Sequence, residues 1–385
     1  MLMDQQCLFT PGPTPIPERV KHAMNQPMIA HRGSAFPMLL ENVSTRLAPV
    51  FGSKNPVYLI SGSGTSALET AAANVIEEND NVVVIVTGAF GERFASICEA
   101  FGANVHRLNI EWGKTCCHDD LENFLNSINT KIKAVFATYC ETSTGIVNPI
   151  RDLGFVTKQK TEALFIVDGV SCIGAVPMDM ERWNVDILVA GSQKALMLPP
   201  GLAFIAFSER AKKVIGMCST KRFYLDLNRY IASYEKEKST PFTPAVSLIF
   251  GAQEVCKMIE DEGFENVIKR HHLLKNMVRA GFTTLDLPLL TCDDDASSTI
   301  TSVITNNEKT KQIKSGLEKK YGITIAGGQG KLKGEIIRIG HMGYCTPFDI
   351  LKVLSGIEMT MHDLGITNLL GKATSKAKEV WIHAL

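Results

Sequence analysis

Residues 163–194 read ALFIVDGVSCIGAVPMDMERWNVDILVAGSQK, and two apolar runs within them, Leu164–Asp168 and Ile187–Gly191, are continuous rather than alternating. Unbroken, β-branched hydrophobicity over about five residues marks a strand covered on both faces, as in a mostly parallel sheet between helices. The first run ends on a carboxylate, Asp168, and the second leads into Ser192-Gln193-Lys194. Ligands of open α/β sheets bind beyond the C-terminal ends of the strands. A carboxylate buried there needs a partner, whether a metal, an N–H donor or a protonated ring nitrogen. The alternative for Asp168 is an N-cap of the next helix. Lys194 is followed by ALMLPPGLAFIAF, company that lowers an amine's pKa and suits Schiff-base chemistry. Its alternative is to snorkel to solvent.

Runs of the same texture recur at Val57–Ser61, Val82–Thr87, Ala103–Leu108, Ala134–Thr138 and Leu202–Phe207, which makes seven strands for one large α/β domain. Between them, Thr65–Glu77 and Gly91–Phe101 carry helix formers with apolar positions three and four apart. Beyond about residue 260 the texture changes to longer charged helices, Glu265–Ala280 and Glu308–Tyr321, with strands expected at Thr299–Thr305 and Glu335–Ile339. This predicts a smaller C-terminal α+β domain. Tyr234–Thr243, charged and broken by proline, reads as a loop before a helix at Ala245–Glu260. His271 and His272, on a charged helix, read as solvated surface.

The 385 residues suit two domains, and 40 basic residues balance 40 acidic ones. Neutrality disfavours nucleic acid and anionic membrane surfaces as partners. Ten cysteines (7, 98, 116, 117, 140, 172, 218, 256, 292 and 345) show no CxxC pair and no zinc-type spacing, so no metal site is expected and most should be reduced and buried. There is no signal-like start and no apolar run near the ~20 residues of a membrane span. A soluble, cytoplasmic protein is expected.

Ser61-Gly-Ser-Gly-Thr-Ser66 follows a strand and opens a helix, where free N–H groups and the helix dipole favour a phosphate. A plain turn capped by Thr65 or Ser66 is the alternative, and a Walker loop is excluded because no Gly-Lys-Ser/Thr follows. A phosphate cradle, then Asp168, then a desolvated lysine 26 positions later together match what pyridoxal 5′-phosphate requires.

On these and further motifs the chain resembles the class V, fold-type I pyridoxal-phosphate aminotransferases, in their alanine–glyoxylate and serine–pyruvate branch. The motifs run in order along the chain: PGPTPIP at 11–17, HRGSAF at 31–36, SGSGTSALE at 61–69, TGAFGERF at 87–94, ETSTG at 141–145, DGVSCIGAVPMD at 168–179, GSQKALMLPPGLAF at 191–204, TPFTPAVS at 240–247 and RIGHMG at 338–343. The resemblance implies a mostly parallel seven-stranded domain over residues 21–260, a small domain over 261–385, and an N-terminal segment, 1–20, that lines the active site around Gly12. It implies that Ser63, Gly64 and Thr65 contact the cofactor phosphate, with Gln193 near them, and that Phe90 stacks on its ring with Val170 beneath. Thr142 would lie near the ring hydroxyl, Asp168 would pair with the ring nitrogen and Lys194 would be the Schiff-base lysine. Arg338 would grip the substrate carboxylate; without the motif, a surface salt bridge is the plainer reading. Thr243 would reach the phosphate of the partner in a homodimer with composite sites. Some family members carry a tyrosine where this chain has Thr240, so phosphate contact at Thr240 is a departure. His31 and Arg32 have either a specificity or a loop-capping role. The implied reaction moves an amino group from alanine or serine to glyoxylate or pyruvate. The alternatives are a cysteine desulfurase-like lyase, for which Cys345 is a poor nucleophile because its segment should be packed, and a non-catalytic cofactor-binding subunit.

Overall fold

The computed structural model describes residues 6–384, and each apolar run of the sequence forms a strand in it. In chain order the strands are β1 Cys7–Phe9, β2 Tyr58–Gly62, β3 Asn81–Val86, β4 Asn104–Asn109, β5 Ile132–Thr138, β6 Cys140–Glu141, β7 Ile146–Val147, β8 Leu164–Asp168, β9 Ile187–Gly191, β10 Gly201–Phe207, β11 Ile300–Ile304, β12 Ile323–Gly327 and β13 Ile336–Gly340. Seven of them make one sheet in the order β2-β10-β9-β8-β5-β3-β4. The pairs from β9 through β4 are parallel, and β10 runs antiparallel to both of its neighbours. Every residue of β8 and β9 is buried, as continuous hydrophobicity requires of strands covered on both faces. This mostly parallel α/β sheet is the fold-type I architecture.

A second core lies under a four-stranded sheet, β1-β12-β13-β11, covered by helices Phe264–Thr284, Asn307–Tyr321, Pro347–Asp363 and Lys372–His383. The N-terminal strand β1 therefore belongs to the C-terminal sheet, paired in parallel with β12. The chain then returns to the first core, where helix Glu18–Met24 packs on helix Val246–Glu262. Among the described residues no helix is long and apolar enough to cross a membrane.

Two expectations are corrected. Tyr234–Thr243 is not all loop, because helix Leu227–Glu237 runs through Tyr234. Leu227, Tyr230, Ile231 and Tyr234 form a buried stripe at helical spacing, and Tyr234 sits 5.4 Å from the Tyr58 ring. The charged run Glu235–Lys238 is the solvated face and end of that helix. His271 is fully buried rather than solvated: Nδ1 donates to the Val267 carbonyl (2.7 Å) and Nε2 accepts from the Gly343 N–H (3.0 Å). Of the other histidines, His341 is equally buried beside Thr301. Both rings have every reason to stay neutral.

Burial pushes His271 and His341 down from 6.5 to about 3. The unfolded chain thus binds more protons than the native one across that window, and stability falls as pH drops through it. Urea midpoints should decrease from pH 7 to 4, and His271→Asn should flatten the fall by up to ~1.4 kcal/mol per pH unit. An unchanged slope would show that His271 is not protected from protons in the native state.

Candidate active site

The C-terminal ends of β2, β3, β5, β8 and β9 point the same way, and the residues that follow them line a cavity of about 280 Å³. Pro11 and Gly12 close it from the N-terminal segment, and Arg338 reaches it from β13. The residues nominated by the motifs at Gly12, 63–65, 90, 142, 168, 170, 193, 194 and 338 all line this one space.

After β2, Ser63 is extended and leads into helix Gly64–Ala73 without a side-chain cap. Among the described residues, nothing accepts from the Gly64 and Thr65 N–H groups, so the helix start is left open to an anion. A Cβ at residue 64 would lie 2.8 Å from Val170 Cγ1; only glycine lets the helix start come down onto that side chain. Next to it, the buried Oε1 of Gln193 has no hydrogen-bond partner among the described residues.

Asp168, 4% exposed, ends β8 and accepts the Val170 N–H at 2.9 Å. It makes no ion pair among the described residues. Burial raises its pKa to about 6, against the pull of the Val170 N–H. Lys194 does not snorkel. Its amine donates to the Pro11 carbonyl, and burial lowers it to about 8 even though the Asp168 charge works the other way. At residue 12, a Cβ would lie 2.5 Å from Lys194 Cδ. Glycine there, at φ +109°, keeps the amine's channel open.

Arg338, 3% exposed, makes no salt bridge among the described residues. Its Nε donates to Gly327 O (2.7 Å) and its Nη1 to Thr142 O (2.6 Å). Burial lowers it to about 10, with Glu141 opposing. A buried guanidinium that meets only carbonyls among the described residues has the fork geometry that suits a planar carboxylate.

Thr240 and Thr243 lie off this chain's own cavity. Thr240 Oγ1 donates to Phe242 O (2.8 Å), and Thr243 Oγ1 is 3.4 Å from His31 Nε2. Arg32 braces the same loop through Ser239 Oγ, Thr240 O and Pro241 O, which is the loop-capping role. Cys345 is packed, as expected, and burial pushes its thiol up to about 12. The motifs did not nominate Arg93 or Gln329, which also line the cavity. Arg93 was findable, three residues after Phe90 on one helix, with its guanidinium 4.8 Å from the ring centroid. Gln329 sits on an irregular glycine-rich turn that carries no such signal.

The arrangement offers an amine with a lowered pKa, a buried carboxylate, a buried guanidinium and an open helix N-terminus. Together these suit reversible addition of Lys194 to a carbonyl and proton transfer beside a bound amino acid. The model of the aminotransferase class-V family matches residues 7–342. The chain is 40% identical over 378 residues to an uncharacterized aminotransferase of Methanocaldococcus jannaschii, covering 98% of this chain and 97% of that one. It is 34% identical to the L-aspartate–glyoxylate aminotransferase of Paracoccus denitrificans, covering 98% and 96%. The crystal structure of ureidoglycine–glyoxylate aminotransferase from Bacillus subtilis superposes with a TM-score of 0.90 at 31% identity, over 98% of each chain.

Reductive methylation of Lys194 in the cofactor-free protein, followed by mass spectrometry, should accelerate through about pH 8 rather than near 10.5. Asp168→Asn should move that midpoint down, because it removes the negative charge that favours the ammonium. Titration near 10.5 would mean that the amine is hydrated.

Proposed function

This chain belongs to the aminotransferase class-V family and is a pyridoxal 5′-phosphate-dependent transaminase, and from that premise we propose that it moves the amino group of a small amino acid, alanine or serine, to glyoxylate or pyruvate. The observation that carries this reading is the buried amine of Lys194, which makes no ion pair among the described residues and lines one cavity with Asp168 and Arg338. The residues present fit the cofactor. The uncapped helix start at Ser63, Gly64 and Thr65, with the amide of Gln193 beside it, would take its phosphate. Phe90 and Val170 would cover the faces of its ring, Asp168 would pair with the ring nitrogen, and Thr142 would stand near its hydroxyl.

When bound, pyridoxal phosphate supplies an aldehyde for amines and a conjugated ring that accepts the electrons of a Cα–H bond. Lys194, with a pKa near neutrality, takes the proton from the substrate's Cα and returns it on the other side of the exchange. Asp168 keeps a negative charge where a ring N–H needs an acceptor. Arg338 fixes the α-carboxylate shared by amino acid and oxo acid, so both half-reactions use one binding mode. The donor set on these elements also favours transamination over desulfuration, since Cys345 is buried and its thiol held protonated.

The same reading includes a cytoplasmic homodimer, with no nucleic-acid or membrane partner. Thr240 and Thr243 sit on a loop outside their own cavity, and Phe242 on that loop packs against Phe223 and Tyr224. Phe223 is 64% exposed, as are Met28 (68%) and Met38 (72%) on either side of His31 and Arg32. Large apolar side chains left in water around a braced loop suit a subunit contact. In a two-fold dimer that loop would bring Thr243 to the partner's site, making each site composite.

With alanine or serine as donor and glyoxylate or pyruvate as acceptor, the purified protein should change its visible absorbance on donor addition and form the new amino acid. Lys194→Ala should cut turnover about 10³-fold while the fold persists. An active Lys194→Ala variant, or no response to any donor, would overturn the assignment. Mixed dimers of Lys194→Ala subunits with subunits carrying Thr243→Asp should regain activity, because one site per heterodimer then has both intact residues. No regain despite confirmed subunit exchange would place Thr243 in its own chain's site.

A further inference from the structure

Glu141 is fully buried on the two-stranded ribbon β6–β7 and makes no ion pair among the described residues. A carboxylate in that setting is expensive unless its oxygens are saturated with donors. They are. Oε2 accepts the N–H groups of Phe90 and Gly91, both at 3.0 Å. Oε1 accepts the N–H (3.0 Å) and hydroxyl (2.5 Å) of Ser143, whose Oγ in turn accepts the Ala89 N–H at 2.9 Å.

Ala89, Phe90 and Gly91 are the first turn of helix Ala89–Ala100, whose own N-cap residue, Gly88, supplies no side chain. The orphan donors of that turn are thus satisfied by a carboxylate and a hydroxyl about 50 residues away in sequence. Contact is close: a Cβ at residue 88 would lie 2.4 Å from both Glu141 Cγ and Ser143 Oγ. Glu141 therefore holds the backbone of Phe90, the aromatic side chain on the cavity wall. The next residue, Thr142, offers the carbonyl that receives Arg338 Nη1.

We propose that Glu141 is a positioning residue, which sets Phe90 against the cofactor ring through the first turn of its helix and Arg338 against the substrate through the adjoining Thr142 carbonyl. A local cap from residue 88 would stabilise the helix equally well but would tie it to nothing. Glu141 ties it to the strand end that carries the arginine contact, so ring contact and carboxylate contact are set by one buried turn. Burial pushes the Glu141 carboxyl up, against the pull of the Ser143, Gly91 and Phe90 donors, and in its ionised form it supports the cationic form of Arg338. This inference rests on the pyridoxal-phosphate reading above.

The test is a double-mutant cycle with Phe90, read by cofactor retention and by steady-state kinetics. Glu141→Gln replaces one accepting oxygen by a donor that faces N–H groups. In otherwise intact holoenzyme it should weaken cofactor retention, followed by visible absorbance on dilution, by at least about tenfold, and should raise KM for the amino donor. In a Phe90→Leu background the same substitution should weaken retention by less than about threefold, since the side chain it positions is gone. A purely structural cap predicts a lowered Tm with equal loss of retention in both backgrounds, or no loss in either, and each of those results overturns the proposal. Should Glu141→Gln fail to fold, Ser143→Ala, which removes one donor to Glu141 and the partner of Ala89, takes its place in the cycle with the same outcomes. If the wild-type protein holds no pyridoxal phosphate at all, the functional reading itself falls; if it holds the cofactor and the cycle shows no coupling, only the role of Glu141 falls.

Discussion

A lysine amine kept out of water without a counter-ion is the constraint around which this molecule is arranged. Lys194 meets a backbone carbonyl, not a carboxylate, and among the charged groups that act on it are Asp168, which favours the ammonium, and Arg338, which opposes it. An ion pair with Asp168 would hold the proton on the amine and remove the nucleophile. Full isolation would make the ammonium so costly that it could not return a proton. The structure sits between these limits, with the amine near 8 and the carboxylate near 6. An amine so placed can take up and release a proton near neutral pH, while the carboxylate below it stays ionised and available to an N–H donor.

That balance explains why the site lies where it does. Only the ends of buried parallel strands supply side chains that are desolvated on three sides and open on the fourth. Asp168 ends β8, and Lys194 follows β9 by a three-residue turn, so the pairing of those two adjacent strands sets their separation. The anion site follows from β2, joined to β9 through the antiparallel β10. A shift of register in any of these pairs would move one group relative to the others, whatever the loops did.

Much of this was legible in the sequence, for reasons that differ from residue to residue. The strands were visible because burial on both faces leaves no polar position to confuse the pattern, as at Leu164–Asp168. Asp168 and Lys194 stood out as charged residues at the ends of such runs. Arg338 was legible only through its motif, since an arginine beginning the segment RIGHMG has no local mark of burial. Glu141, within ETSTG, carries no local mark of its role. Its hydrogen bonds span about 50 positions, and capping at that distance leaves no short-range pattern. His271 misled for a related reason: helix neighbours such as Lys269, Arg270 and His272 suggest solvent, while the ring turns inward to a carbonyl and an N–H that only tertiary structure brings together. Tyr234 was hidden by the charges that follow it on the exposed side of the same helix.

The two sides of the site come from different cores, and the N-terminal segment joins them. Lys194 and Asp168 belong to the large sheet, whereas Arg338 stands on β13 of the small one. Cys7–Phe9 is a strand of the small sheet. Thr10 then passes so close to Gly340 that a Cβ there would lie 2.1 Å from the Thr10 carbonyl oxygen. One residue further, Pro11 accepts from the Lys194 amine, and Thr14 Oγ1 donates to the Lys194 carbonyl at 3.0 Å. Helix Glu18–Met24 finally anchors the segment on the large core. Within about fifteen residues the chain touches the strand of Arg338 and both the amine and the carbonyl of Lys194. This strap ties the strand of Arg338 to Lys194, and the proline-rich PGPTPIP run, stiff at each proline and short of donors, is the kind of segment that can hold the two together.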